Sequence, residues 1–314
     1  MAKAQESLEA DPIDPQIWLA QILRRRFDKI VELYSAPLEH PRDEGVHDMR
    51  VSIRKLRSAL RDFAQLTDKF RLKKIRKDLN ALADRLGEVR DLDVAIDAFT
   101  KASKEADSSN IKKGIAEIVK DCKTQRDDAN DRLRKHLDLA GLADLTKEFD
   151  RAFDQSLRQS KMFAAKDVNE TARVMIENRL DRFLNEVDAI YDPFAVRRIH
   201  RLRIVGKQLR YSIELFEDLW DGKLRPFAEE TKKMQSYLGE LHDRDFWIAG
   251  SGKRISAERP RSKREEMIYQ ARIWLLSEFT RQRMTAYRHA LKTWSDWRAD
   301  DFPGRLRKVI ADEA

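Results

Sequence analysis

The sequence contains little cysteine, glycine or proline. Among its 314 residues there are one cysteine, 10 glycines and 8 prolines. The single cysteine, Cys122, excludes an internal disulfide and a cysteine-rich zinc site. The scarcity of glycine and proline argues against a turn-rich β protein, and no strand-like alternation of apolar and polar residues is found. These absences predict an all-α protein built from long helices.

The sequence also lacks long apolar runs. No segment approaches the roughly 20 apolar residues that a membrane-spanning helix needs. The first 15 residues, MAKAQESLEADPIDP, lack the basic-then-apolar layout of a signal peptide. We therefore expect a cytoplasmic protein without a membrane span, with residues 1–14 as a disordered leader.

Charge is abundant and unbalanced. Lysine and arginine number 63 against 55 aspartates and glutamates, which gives a net charge of +8 and a pI of about 9.4. This excess favours a polyanionic partner or a membrane surface, although it says nothing about the fold. The segment from Gly250 to Arg264 is rich in basic residues and contains two glycines and a proline, so we predict a solvated linker there.

One segment, from Val46 to Phe63, concentrates basic residues on one side of a predicted helix. At about 100° per residue these residues fall within a sector roughly 80° wide, and they are His47, Arg50, Arg54, Arg57 and Arg61. Surface helices usually place an acid three or four residues from each arginine, but none of these arginines has one. The pattern predicts a basic stripe, here called the first stripe, that binds an anion.

A second copy of the stripe follows at a shift of 153 residues, from His47 to His200. The matching residues, here called the second stripe, are His200, Arg203, Lys207 and Arg210, while Glu214 stands where the first stripe has Arg61. The motif LGEVRDLD (86–93) is answered by LGELHDRD (238–245), and Arg26 is answered by Arg179. The chain is therefore a tandem repeat of a unit of roughly 150 residues.

The two copies, His47-x-x-Arg50-x-x-x-Arg54-x-x-Arg57 and His200-x-x-Arg203-x-x-x-Lys207-x-x-Arg210, each followed by L-G-E-x-x-D-x-D, resemble the CHAD family, the conserved histidine α-helical domain. The resemblance covers about residues 17–297. It implies two tandem, pseudo-two-fold-related antiparallel helical bundles of about four helices each, residues 15–160 and 161–314, forming one pseudo-symmetric domain. It also implies that the basic helices face a shared groove or channel.

The same resemblance implies inorganic polyphosphate as the ligand. The residues that match the family's basic motif are the expected polyphosphate-binding residues, namely His47, Arg50, Arg54, Arg57, His200, Arg203, Lys207 and Arg210. Arg61 is added because it lies on the same side of the predicted helix. Arg26 and Arg179 are secondary candidates, supported by the repeat alone. Arginine suits this task because its planar fork grips two phosphate oxygens at once. The histidines are expected to donate to phosphate and to bind better once protonated, below about pH 6.5.

The expected function is non-catalytic binding of polyphosphate, and of other polyanions, with association to polyphosphate granules. No phosphate-binding glycine loop or carboxylate cluster is evident beside the stripe, so we expect no catalytic residue, metal ligand or cofactor. The acids of the L-G-E-x-x-D-x-D motifs (Asp91, Asp93, Asp243 and Asp245) are expected to anchor basic residues or cap helices. The alternatives are a metal-dependent enzyme that processes polyphosphate or triphosphate, and an RNA- or DNA-binding protein.

Overall fold

A computed structural model describes residues 15–39, 44–63, 73–137, 139–159, 167–257 and 259–312. These residues form eleven α-helices and two short 3₁₀ helices, and no strand occurs among them. The all-α prediction is therefore confirmed. The predicted leader, residues 1–14, lies outside the described residues. In the same described part of the chain, no helix combines the length and the apolar character needed to cross a membrane.

The repeat is visible in the order of the helices. In chain order they are α1 (Pro15–Glu32), α2 (Ala36–Glu39), α3 (Glu44–Asp62), α4 (Lys73–Glu105), α5 (Ser109–His136), α6 (Leu139–Gln159), α7 (Val168–Glu186), α8 (Val196–Phe216), α9 (Arg225–Ala257), α10 (Lys263–Ala299) and α11 (Phe302–Ala311), with 3₁₀ helices at Val187–Tyr191 and Glu217–Trp220. The first stripe lies on α3 and the second on α8. Both are followed by a helix of 33 residues, α4 and α9, which carries the L-G-E-x-x-D-x-D motif.

The main core is shared by the two halves of the chain. The apolar side of α3 is fully buried, and Phe63, which directly follows α3, meets Phe216 of α8 edge-on with ring centroids 6.2 Å apart. Trp18 of α1 stacks on the same Phe216 at 5.1 Å. Because these contacts cross from one half to the other, they hold the two basic helices in a fixed relation. The division into residues 15–160 and 161–314 stays a prediction.

A second core lies where α4, α5, α9 and α10 pack together, two helices from each half. Phe99 of α4 lies 5.7 Å from Trp247 of α9 and 5.5 Å from Phe279 of α10, measured between ring centroids. At this end the two halves form a common four-helix bundle, so the expected arrangement of one bundle per half does not describe it.

The predicted linker is largely helical. Helix α9 continues through Ala257, and α10 begins at Lys263, where the Ser262 hydroxyl accepts a hydrogen bond from the backbone amide of Glu265 at 3.1 Å. The prediction of a solvated linker from Gly250 to Arg264 is therefore wrong for most of its length. Glycine disfavours a helix by about 1 kcal/mol relative to alanine, yet α9 continues through both Gly250 and Gly252.

Candidate functional site

A cleft of about 700 Å³ runs between α3, α4 and α8. Its lining contains six basic residues: Arg50, Arg54, Arg57 and Arg61 of the first stripe, Arg76 of α4 and Lys207 of the second stripe. The helical spacing of the first stripe explains this arrangement, because its four arginines share one side of α3. The structure thus brings the arginines of the first stripe together with one cation of the second.

Carboxylates also line the cleft, contrary to the expectation that none lies beside the stripe. Asp84, Glu88 and Asp91 project from α4, which packs against α3. The Arg50 Nη2 atom lies 3.8 Å from the Asp91 Oδ1 atom, and Glu88 accepts a hydrogen bond from Arg132 of α5 at 3.2 Å. The expectation was wrong because spacing along α3 says nothing about acids on a neighbouring helix.

Lys207 shows how closely the two stripes approach. Burial and, to a smaller extent, the positive charges of Arg203, Arg54, Arg61 and Arg50 together lower the pKa of this lysine from 10.5 to about 8. Three of these arginines belong to the first stripe. Burial and nearby cations both disfavour a charged lysine, and the cleft lining has six basic residues against three acids, which gives it a positive potential.

Tyr211 of α8 is buried between two arginines at the wall of the cleft. The guanidinium carbon of Arg54 lies 5.6 Å from the centre of its ring, and that of Arg210 lies 5.2 Å away. Burial lowers the pKa of Arg54, and its buried Nε atom has no hydrogen-bond partner among the described residues. Such a cation is costly to bury alone and is suited to receive an anion.

The second stripe is more fully engaged with the protein than the first. Arg210 pairs with Glu214 at 2.7 Å. Burial lowers the pKa of Arg203, while Asp243 of α9 opposes this effect and Arg50 reinforces it. Gly206 lets α8 pack closely, because a Cβ atom there would approach Gln235 Nε2 to 2.6 Å. Of the second stripe, only Lys207 lines the cleft.

Neither stripe histidine lines the cleft. His47 is exposed on α3, whereas His200 is partly buried with its Nδ1 atom 3.1 Å from that of His242 on α9. Burial lowers the pKa of His47, and the positive charge of Arg90 lowers it as well. Burial also lowers the pKa of His200, with a smaller effect from the positive charge of Arg203. The expected protonation below about pH 6.5 is corrected to a lower pH, because burial and then the neighbouring cations disfavour imidazolium.

Arg26 and Arg179, the secondary candidates, occupy equivalent structural positions. The Arg26 Nη1 atom donates to the backbone carbonyl of Lys55 at 2.7 Å, and Arg179 Nη1 donates to the side-chain oxygen of Gln208 at 3.2 Å. Arg179 also donates to the buried carboxylate of Asp62 at 2.6 Å. Each arginine thus has partners within the protein, and their role as ligands stays a prediction.

A model of the CHAD domain family matches residues 21–249, which is more than half of the chain. This protein belongs to the CHAD family. The family is associated with polyphosphate binding or with triphosphate tunnel-related proteins.

Solved structures show the same fold. The crystal structure of the CHAD domain from the plant Ricinus communis is 22% identical, with a TM-score of 0.69 over 93% of this chain and 96% of that one. A second structure, "PptA from Streptomyces chartreusis", is 16% identical, with a TM-score of 0.63 over 91% of this chain and 100% of that one. At these identities the likeness shows the CHAD fold alone. A search of curated proteins found no match.

The second aspartate of each L-G-E-x-x-D-x-D motif has a structural role in this CHAD chain. Asp93 accepts a hydrogen bond from Arg126 of α5 at 2.8 Å, and Asp245 accepts one from Arg283 of α10 at 2.5 Å. These equivalent pairs fasten α4 to α5 and α9 to α10, which is the expected anchoring of basic residues. Within the described ranges, no three His, Cys, Asp or Glu side chains converge as a metal site.

Sequence reasoning missed Arg76 and Tyr211 as lining residues. A signal for Arg76 existed on α4, where small and polar residues recur on one side at positions 76, 80, 83, 87 and 91. Gly87 leaves room in front of the first stripe, since a Cβ atom there would meet only Arg50 Nε, at 3.9 Å. Arg76 donates to the backbone carbonyl of Leu60 and so joins α4 to α3.

Proposed function

We propose that this CHAD protein binds inorganic polyphosphate in the cleft between α3, α4 and α8, without catalysing a reaction. The observation that supports this most directly is the crowding of cations around Lys207, whose pKa of about 8 reflects burial and four neighbouring arginines. A bound polyanion would relieve this repulsion, because it places negative charge where the protein has left positive charge incompletely neutralised.

The chemistry of the cleft suits a chain of phosphates. Linear polyphosphate carries roughly one negative charge per phosphate and has no base to be recognised, so cations are the main requirement for binding. Four arginines at successive turns of α3 present forked donors along the cleft. Tyr211 is 5% exposed between Arg54 and Arg210, so it is not available to stack on a nucleic-acid base.

The test reverses three charges at once. The variant Arg50→Glu, Arg54→Glu, Arg57→Glu should lose retention on immobilised long-chain polyphosphate by at least about 100-fold, while its helical circular dichroism is unchanged. A control, Lys101→Glu, Lys113→Glu, Lys233→Glu, makes the same change in net charge at exposed positions and should retain binding. Equal loss in both variants would mean that net charge alone drives retention.

A metal-dependent enzyme is the second candidate, and the three carboxylates of α4 favour it. Asp84, Glu88 and Asp91 lie on the cleft wall; they do not converge as a metal site, but single carboxylates could contact Mg²⁺ that polyphosphate carries into the cleft. Incubation of the protein with long-chain polyphosphate and Mg²⁺ or Mn²⁺, followed by gel analysis of chain length, tests it. Unchanged length supports binding alone, whereas shortening that is lost in Asp84→Asn would establish an enzyme.

We also propose association with polyphosphate granules. A fluorescent fusion should colocalise with granules and become diffuse in cells that lack polyphosphate. Competition between polyphosphate and single-stranded RNA at 150 mM salt should favour polyphosphate. Equal affinity for the two polymers would replace the polyphosphate assignment by general polyanion binding.

A further inference from the structure

A second cavity, of about 390 Å³, lies within the bundle of α4, α5, α9 and α10. Most of its wall is apolar and is contributed by all four helices, with Leu92, Phe99, Ile118, Trp247 and Leu275 among its lining residues. Phe246, at the cavity, is 71% exposed. This volume and lining are typical of small-molecule sites, which are concave, mostly apolar and oriented by a few polar groups.

The polar groups of this cavity include two arginines on facing helices. Arg254 comes from α9 and Arg272 from α10. Burial and then Asp121 raise the pKa of the Cys122 thiol, while Arg254 and Arg272 both oppose this rise. Arg254, Arg272 and Cys122 all line this one cavity.

Two carboxylates at the cavity have other cations nearby. Asp91 lies 3.8 Å from Arg50 in the polyphosphate cleft. Asp121 has Arg264 nearby. The hydrogen bond to Glu117 is the main cause of the raised pKa of Arg264, and the negative charge of Asp121 raises this pKa as well. For Arg254, by contrast, no ion pair with a described residue is found. An anionic group at the solvent-facing side of the cavity would therefore meet Arg254, which is exposed and has no ion pair with a described residue.

We propose that this cavity binds a small amphipathic anion, with an aromatic or aliphatic body against the apolar walls and a carboxylate or sulfonate between Arg254 and Arg272. Arginine holds such groups through two parallel, charge-assisted hydrogen bonds. The ligand differs from polyphosphate, which has no apolar part. Only Asp91 lines both cavities, so the two sites share a wall and are otherwise separate.

The probe for the test is 8-anilino-1-naphthalenesulfonate, which has an aromatic body and one sulfonate. Titration with the full-length protein should give one saturable site with enhanced, blue-shifted emission. Occupancy should also slow modification of Cys122 by a maleimide, which is a clean readout because the chain has no other cysteine. N-phenyl-1-naphthylamine, which lacks the sulfonate, should bind about tenfold more weakly.

Matched variants test the role of the arginine. Arg254→Gln should weaken probe binding about tenfold, whereas Lys253→Gln, an equal change at a neighbouring exposed position that does not line the cavity, should not. Gly250→Leu should also reduce binding by narrowing the cavity, and a Cβ atom there meets no heavy atom within 4 Å, so folding should be preserved.

Three results would overturn the proposal. They are the absence of saturable binding, an equal effect of Arg254→Gln and Lys253→Gln, and displacement of the probe by excess polyphosphate. The last result would place the sulfonate in the basic cleft instead. Because retention on polyphosphate is measured separately, failure of this site leaves the proposed function untouched, and failure of polyphosphate binding leaves this site untouched.

Discussion

Lys207 allows a quantitative test of the cleft, because polyphosphate binding should weaken as this lysine loses its proton. Burial and the neighbouring arginines lower its pKa from 10.5 to about 8 in the free protein. A bound polyanion favours the charged form and should return the pKa towards its usual value. The lysine then takes up a proton on binding wherever the solution pH exceeds about 8, and affinity falls with rising pH.

The magnitude follows from the two pKa values. At pH 7 the lysine is mostly protonated in both states, so its titration has little effect on affinity. At pH 9 only about a tenth of the free protein carries the proton, whereas nearly all of the complex does. The dissociation constant should therefore rise about tenfold between pH 7 and pH 9. This direction is the one expected for a group whose pKa is higher in the complex.

Isothermal titration calorimetry with polyphosphate of defined length, at constant ionic strength, measures this effect. In Lys207→Arg the charge persists at all these pH values, so the pH dependence should largely vanish. Lys207→Gln should bind about tenfold more weakly at pH 7 and should also lack the dependence. The exposed control Lys233→Arg should behave as the wild type. A pH dependence that survives in Lys207→Arg would refute the assignment.

Three further variants test the surroundings of the cleft. Glu214→Ala should strengthen polyphosphate binding a few-fold in the same calorimetric assay, because it frees Arg210 from a 2.7 Å ion pair. Asp62→Ala should lower the free energy of unfolding by about 3 kcal/mol in urea titrations, since it leaves the largely buried guanidinium of Arg179 without its carboxylate partner. Burial lowers the pKa of His242 from 6.5 to about 4 in the folded protein. The free energy of unfolding should therefore fall as the pH drops from 6.5 towards 4, by about 1–2 kcal/mol after allowance for partial exposure. His242→Gln should reduce this loss in urea titrations at the two pH values.

The fold class and the first stripe were predictable because both depend on short-range periodicity. The residues Arg50, Arg54, Arg57 and Arg61 fall on one side of any helix through this segment, and the structure places all four along the cleft. The buried side of α3 was predictable for the same reason. Helical geometry fixes both sides of the helix once its register is known.

The rest of the cleft depends on which helices meet, and a single sequence does not contain that information directly. Asp91 comes within 3.8 Å of Arg50 although 41 positions separate them in the chain. The wrong linker prediction has a related cause. Composition suggested a loop after Gly250, but α9, whose Trp247 packs in the second core, continues as a helix through Ala257 although glycine disfavours it locally.

The two halves have diverged, and the differences explain why the cleft is asymmetric. Where the first half has Arg61 and Arg90, the second has Glu214 and His242. Glu214 pairs with Arg210, and His242 lies against His200, so these second-half residues are occupied by the protein itself. Arg61, by contrast, faces the cleft together with Arg50, Arg54 and Arg57, and the cleft lining has fewer acids than cations. The repeat therefore contains two copies of one basic helix, of which α8 is engaged mainly with the protein and α3 presents its arginines to the cleft.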